Sequence, residues 1–291
     1  MEINDVKDFV SSLGVDLPPL ESFWRLGDLT ALRQDRRNTY YRSNYERGIL
    51  LYALTAHYHP LTVLEFGTGR GYGCMCMAWA MEDHKIPGRI YTIDLYKPNE
   101  IQEWPIDWDD GRGPHTEFLS RDQVWAKAVS QSWLNRIEQI TGLSGQAMRH
   151  YQGSQIELAF IDGGHGYASV RHDFYSMIRK SAPRFGILLD DYAPEPGFGV
   201  QKLIDEEVSP YFRSTLIYPE RRWLSGNHAS LNVSNSGMIW VHSDSLNRSV
   251  ASIYPESRFS AFLIWYSFYE QLLLLRSQVG RTARRLLRHA I

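Results

Sequence analysis

The spacing of apolar positions changes near residue 60. In the segment from Asn44 to Tyr58, Leu50, Leu51, Leu54 and Tyr58 recur at helical spacing, and the run ends at His59-Pro60. Residues 1–60 read as helical. From Leu61 onward, short apolar runs alternate with helical segments. The expected strands are Thr62–Phe66, Arg89–Asp94, Arg136–Ile140, Ile156–Ile161, Gly186–Leu189, Ser214–Tyr218 and Met238–His242. Several of them, such as Leu-Ala-Phe-Ile ending at Ile161, are apolar on both faces, as central strands of a parallel sheet must be when helices cover both sides. The alternation predicts a doubly wound α/β domain with a mostly parallel, seven-stranded sheet over 61–245. N-terminal helices over 1–60 precede it, and a helical extension over 246–291 follows. The last two strands are close enough in the chain to form an antiparallel edge pair.

Between Leu95 and Arg121 the periodicity disappears, and Pro98, Pro105, Gly111, Gly113 and Pro114 interrupt the chain. A structureless connection of this length is usually functional. With Trp104 and Trp108 inside it, residues 96–121 are expected to form a lid over a substrate pocket. The stretch from Phe259 to Leu275 is strongly apolar but broken by Ser260, Ser267, Glu270 and Gln271, too short and interrupted for a membrane span. Five arginines follow it: Arg276, Arg281, Arg284, Arg285 and Arg288. The expectation is a helix docked on the domain or at a dimer interface. Peripheral membrane attachment is the sharper and less favoured alternative.

Composition narrows the class. Of 291 residues, 43% are hydrophobic and 22% charged, with a formal net charge of −2, so no general attraction to nucleic acid or an anionic membrane follows. The start, MEINDVKDFV, lacks the apolar core of a secretory signal. The two cysteines, Cys74 and Cys76, are too close in a helix to bridge and read as reduced thiols of a cytoplasmic protein.

The strongest local signal is Val63-Leu-Glu-Phe-Gly-Thr-Gly-Arg-Gly-Tyr-Gly73, a short strand running into alternating glycines and then a helix. Glycine allows the turn and a close ligand approach, and the helix start offers free N–H groups. The dinucleotide fingerprint fails here, because position 72 is Tyr72 and position 74 is Cys74. Glu-x-Gly-x-Gly-x-Gly instead resembles the first motif of class I S-adenosylmethionine-dependent methyltransferases, whose fold is Rossmann-like. The resemblance implies that Gly67, Thr68 and Gly69 wrap the methionine part of the cofactor, with Glu65 near its amino group. Asp94, closing the next strand, would then take the ribose hydroxyls, and Ser144, in Thr141-Gly-Leu-Ser144, would face the adenine.

A second cluster runs Ile156-Glu-Leu-Ala-Phe-Ile-Asp162-Gly-Gly-His165-Gly-Tyr167, followed by Gly186-Ile-Leu-Leu-Asp190-Asp191. Both place acids at the carboxyl ends of central strands, the ligand edge of an open α/β sheet. Three carboxylates gathered there would repel one another unless a cation joined them, and oxygen donors suit magnesium, manganese or calcium. The blocks resemble metal-dependent O-methyltransferases of the macrocin type and cephalosporin-hydroxylase-like proteins, with a more distant parallel in catechol O-methyltransferase. By that resemblance Asp162, Asp190 and Asp191 hold the metal, and Asp162 also borders the cofactor. His165 is expected to be the general base, with His228 as runner-up, and Tyr167 is expected at the pocket wall. His172 and Asp173 read as ordinary helix-surface or packing residues.

The function this implies is S-adenosylmethionine- and Mg²⁺-assisted transfer of methyl to a hydroxyl of a small molecule, a sugar by preference, in a cytoplasmic homo-oligomer. The alternative is a cofactor-binding or assembly subunit without activity. Nucleic acid is not an expected partner, since no broad basic patch lies outside the C-terminal tail.

Overall fold

The computed structural model describes residues 2–42, 45–193, 197–219, 237–243, 260–266 and 268–272. In chain order the elements are β1 (Glu2–Asp5), α1 (Val6–Ser12), α2 (Leu20–Thr30), β2 (Arg33–Gln34), β3 (Tyr40–Tyr41), α3 (Glu46–Tyr58), β4 (Thr62–Phe66), α4 (Tyr72–Asp83), β5 (Arg89–Asp94), β6 (Gln102–Ile106) and β7 (His115–Leu119). They continue with α5 (Arg121–Ala128), α6 (Gln131–Leu134), β8 (Ile137–Thr141), α7 (Ser144–His150), β9 (Ile156–Ile161), α8 (Tyr167–Lys180), β10 (Ser181–Tyr192), α9 (Val200–Leu203), a π-turn over Ile204–Val208, β11 (Arg213–Tyr218) and β12 (Gly237–His242).

The main sheet has the order β1-β11-β12-β10-β9-β4-β5-β8, and within it β12 alone runs antiparallel to its neighbours. Chain direction reverses its lateral progress between β4 and β9. That is the topological switch point, where the loops leaving the two strands diverge and open a crevice. Alternate residues of the central strands enter opposite cores. Val63, Phe160 and Leu188 pack with α1, α3 and α4, whereas Leu64, Ile161 and Leu189 pack with α7, α8 and α9. This two-sided burial explains the continuous apolar runs.

The sheet has eight strands rather than seven. The extra one, β1, comes from the segment expected to be helical, and it pairs parallel with β11 from Glu2 against Thr215 to Asp5 against Tyr218. Four residues of mixed polarity on a sheet edge carry no period that a sequence can display; β11 supplies the pairing. The terminal strands β11 and β12 are antiparallel as expected, but β12 also pairs with β10 and β1 covers the outer side of β11.

The segment expected to form a lid is not structureless. Residues 102–119 form the hairpin β6–β7, in register from Gln102 against Leu119 to Ile106 against His115. Trp104 is buried, and its Nε1 donates to the Leu29 carbonyl of α2 at 2.8 Å. The hairpin is therefore anchored to the N-terminal helices. A capping box at Ser120 and Gln123 then starts α5. No helix among the described residues is long and apolar enough to cross a membrane.

Candidate functional site

The glycine turn leaves β4 at the switch point. Gly67 has φ +91°, and a Cβ there would lie 2.1 Å from the Asp162 carbonyl oxygen, so two conditions at once require glycine. Gly71 has φ +101° and faces the Trp125 ring in the same way. The turn is pinned by the Gly67 and Thr68 N–H groups, which donate to the Ile93 carbonyl at 2.9 and 3.2 Å, and by Gly71 N–H to Thr68 at 2.8 Å.

Asp94, at the end of β5, accepts from Gly69 N–H at 2.7 Å and from Tyr96 N–H at 2.8 Å. Both bonds leave acceptor capacity, since a carboxylate has about four lone-pair sites. Glu65 is fully buried and bonded by the Thr92 hydroxyl. Burial pushes its pKa up to about 8 against the opposing pull of that bond.

Two residues that sequence reasoning missed hold this turn from outside. Arg121, almost wholly buried at the start of α5, donates from Nε to the Gly69 carbonyl at 3.0 Å, and its Nη2 lies 3.3 Å from Asp94. Trp125 Nε1 donates to the Arg70 carbonyl at 2.9 Å. The hairpin-to-α5 segment thus works as a brace beneath the loop. Its sequence signal was only the capping box, which marks a helix without saying what the helix supports.

The acid cluster lies on the other side of Gly67. Asp162 follows β9, and its N–H donates to the Phe66 carbonyl at 2.8 Å. Asp190 and Asp191 end β10, and Asp190 accepts the Asp191 N–H at 2.9 Å. Asp191 has φ +60°, a left-handed conformation seldom used by residues other than glycine, asparagine and aspartate. Its carboxylate meets His165 Nδ1 at 2.5 Å, while the imidazole stays about half exposed with a side-chain accessibility of 53%. That bond to Asp191 raises the His165 pKa above its usual 6.5.

The third partner was not expected. Arg47, on the first turn of α3, donates from one nitrogen, Nη1, both to Asp162 and to Asp190, the latter at 2.8 Å. Burial raises the pKa of Asp162 to about 7 despite this ion pair. A lone arginine at the start of an apolar helix reads in sequence as a solvated charge, and only the fold carries it to β9 and β10.

A cavity of about 820 Å³ joins the two halves, touching Glu65, Gly69, Asp94, Ser144, Asp162 and His165. Ser144, the first residue of α7, also lines it. Glu270, in a helical stretch over 268–272, closes that end by accepting the Gly145 N–H at 2.7 Å. Arg33, Gln34, Gln102 and Glu103 also line it.

Other expectations are corrected. Tyr167 does not line this cavity; its hydroxyl donates to Glu207 and its ring lies 4.6 Å from Lys202. Neither Trp104 nor Trp108 lines it; Trp108 bonds Glu117 and carries Lys127 over its ring at 3.6 Å. Of the two readings open for His172 and Asp173, packing is the one the structure shows: both are buried and paired at 3.0 Å, with His172 stacked on Tyr266. Cys74 and Cys76 are free and buried. His228 lies outside the described residues.

Residues 64–192, which contain the glycine turn and all three acids, match a family described as a methyltransferase domain. The match covers somewhat less than half of the chain. The same fold appears in cofactor-bound Rv0187 from MTB, 18% identical with a TM-score of 0.50 over 82% of this chain and 95% of that one. It appears again in the O-methyltransferase TomG of Streptomyces achromogenes, involved in tomaymycin synthesis and solved with SAM, at 16% identity and a TM-score of 0.51 over 82% and 96%. An uncharacterised protein of Sinorhizobium fredii, y4gI, is 23% identical over 168 residues, 57% of this chain. The chain spans only 17% of the length of that relative. Within the matched segment, the glycine turn, Asp94, Asp162 and His165 line one cavity.

Proposed function

We propose that the protein is an S-adenosylmethionine-dependent O-methyltransferase acting on a hydroxyl of a small, polar molecule, with a sugar as the preferred class. The observation that carries this reading is the single cavity running from Glu65 and Asp94 to Asp162 and His165. TomG, which shares the fold, is an O-methyltransferase solved with SAM. The polar side chains of Gln34, Gln102 and Glu103 in the lining suit a hydroxyl-rich acceptor, and no tryptophan among the described residues lines the cavity.

S-adenosylmethionine, when bound, supplies a methyl group on a sulfonium centre. The residues fit it: a buried carboxyl at Glu65 can face its ammonium group, and Asp94 keeps lone pairs for a diol. At the other end, Asp191 holds Nδ1 of His165, which leaves Nε2 to take the proton of an acceptor hydroxyl as its oxygen attacks. Burial of Arg47 and Asp190 limits water at the inner side of the crevice. Two buried free thiols agree with a cytoplasmic setting.

Magnesium on Asp162, Asp190 and Asp191 does not fit the arrangement. Arg47 already bridges the first two acids. The donor atoms of Asp162, His165 and Asp191 do lie within 4.8 Å of one another. However, His165 and Asp191 are 2.5 Å apart, whereas two donors on one octahedral ion lie about 3 Å apart. A shared proton fits between them, and no step of the reaction is routed through a metal here.

The test is a transfer assay with labelled S-adenosylmethionine against a panel of sugars, sugar conjugates and catechols, with and without EDTA. Methylation of a polyhydroxylated acceptor is the expected result. Cofactor binding without transfer to any member of the panel would leave a binding subunit as the better reading.

A further inference from the structure

Charge balance in the acid cluster leads beyond the identity of the reaction. Asp162, Asp190 and Asp191 bring three carboxylates to one strand edge, and two of them are met by one guanidinium nitrogen. The third is met by His165. Arg47 is about nine-tenths buried, as is Asp190, with side-chain accessibilities of 10% and 7%. Its Nε is also buried and has no partner among the described residues. A charge is kept in such a place only where its pairing is strong, because removing it from water costs several kcal/mol. The guanidinium sits where a bridging divalent ion would need to sit, since an ion joining Asp162 to Asp190 would claim the same carboxylate oxygens.

We infer that Arg47 is a built-in cation that replaces a divalent metal between Asp162 and Asp190. It acts as a positioning residue: it holds both strand-end carboxylates together while Asp191 remains free to orient His165. The inference rests on the acceptor being activated at this cluster, but its consequence for metal binding does not depend on any acceptor. Arginine suits the task because its charge is permanent and each terminal nitrogen carries two N–H donors, so Nη1 can serve two acids at once.

Titration of the apo protein with Mn²⁺ at neutral pH, read from the electron paramagnetic resonance of the free ion, tests it without any methyl transfer. The wild-type protein is expected to bind Mn²⁺ no more tightly than about 1 mM, the range of weak carboxylate sites. Arg47→Gln removes the competing charge and should tighten Mn²⁺ binding by about tenfold or more. Arg47→Lys keeps the charge and should leave it weak. A purely structural role for Arg47 would not create a metal site on its removal. Micromolar Mn²⁺ binding by the wild type that disappears in Asp190→Asn would overturn the inference, as would Arg47→Gln binding no tighter than the wild type. If Arg47→Gln fails to fold, the wild-type titration decides alone. Failure of the methyl-transfer reading would show instead as absent turnover with this titration unchanged.

Discussion

Arg47 and Asp190 are 143 positions apart in the chain and 2.8 Å apart in space. Their contact joins the first turn of α3 to the carboxyl end of β10, and the same arginine nitrogen reaches Asp162 at the end of β9. Removing the arginine leaves two buried carboxylates facing each other. Arg47→Ala should therefore destabilise the fold by about 3–5 kcal/mol near neutral pH. Denaturant unfolding at two pH values checks the cause. The loss should shrink in mild acid, where the orphaned carboxyls take up protons; an equal loss at both values would point to packing instead.

Glu65 predicts the pH dependence of cofactor binding. Its carboxyl titrates at about 8 in the free protein because it is buried, and an ammonium group prefers it ionised. Affinity should rise between pH 6 and 8, by up to about tenfold per pH unit, and proton release should accompany binding. Calorimetry in buffers of different ionisation enthalpy measures both, and Glu65→Gln should flatten the profile. The same shift has the opposite sign for folding. The native carboxyl holds its proton more tightly than the unfolded one, so this group's contribution to stability falls as pH rises from 4.5 to about 8.

Asp94 and Asp191 should separate binding from chemistry. Asp94→Ala removes the acceptor of the Gly69 N–H and a lone-pair set facing the cavity, so cofactor affinity should fall by about tenfold or more. Asp191→Ala should leave cofactor affinity within about twofold and cut transfer by roughly 10²–10⁴-fold. Equal loss of cofactor binding in both variants, seen by calorimetry, would show that the two ends of the crevice are not independent.

The His165–Asp191 pair sets the acid limb of the rate profile. Hydrogen bonding to Asp191 raises the His165 pKa above 6.5, and a base must be unprotonated to act. The rate should climb with pH through a value above 6.5. Asp191→Asn should move that limb to lower pH while lowering the plateau. A limb that stays in place in Asp191→Asn would assign the titration to another group.

Trp125 tests the brace beneath the glycine turn. Trp125→Phe keeps an aromatic ring on α5 but removes the N–H that serves the Arg70 carbonyl and part of the indole edge that faces Gly71. The cost of one unmet buried carbonyl, about 1–1.5 kcal/mol, should appear as a roughly tenfold rise in KM for the cofactor. The value of kcat should change much less. A fall confined to kcat would contradict the brace.

Three central strands were legible to their ends, being short and bounded by turn residues; β8 was expected one residue earlier and β10 runs Ser181–Tyr192, well beyond the expected Gly186–Leu189. Thr62–Phe66, Arg89–Asp94 and Ile156–Ile161 end where expected. The glycine turn and the acids at strand ends were legible for a related reason: backbone conformation and strand-end position are local properties, written in consecutive residues. Edge strand β1 and hairpin β6–β7 were not, because their order comes from β11 and from α2.

By itself, the chain's sequence determined the layered α/β core, the turn at Gly67 and the carboxylates waiting at the ends of β5, β9 and β10. Local sterics and the period of burial suffice for those. Tertiary structure alone decided what those carboxylates face. Arg47 reaches Asp162 and Asp190, His165 pairs with Asp191, and Arg121 and Trp125 hold the turn. Partner choice in an ion pair depends on distance in space, and positions far apart in the chain acquire that distance only when the helices dock on the sheet.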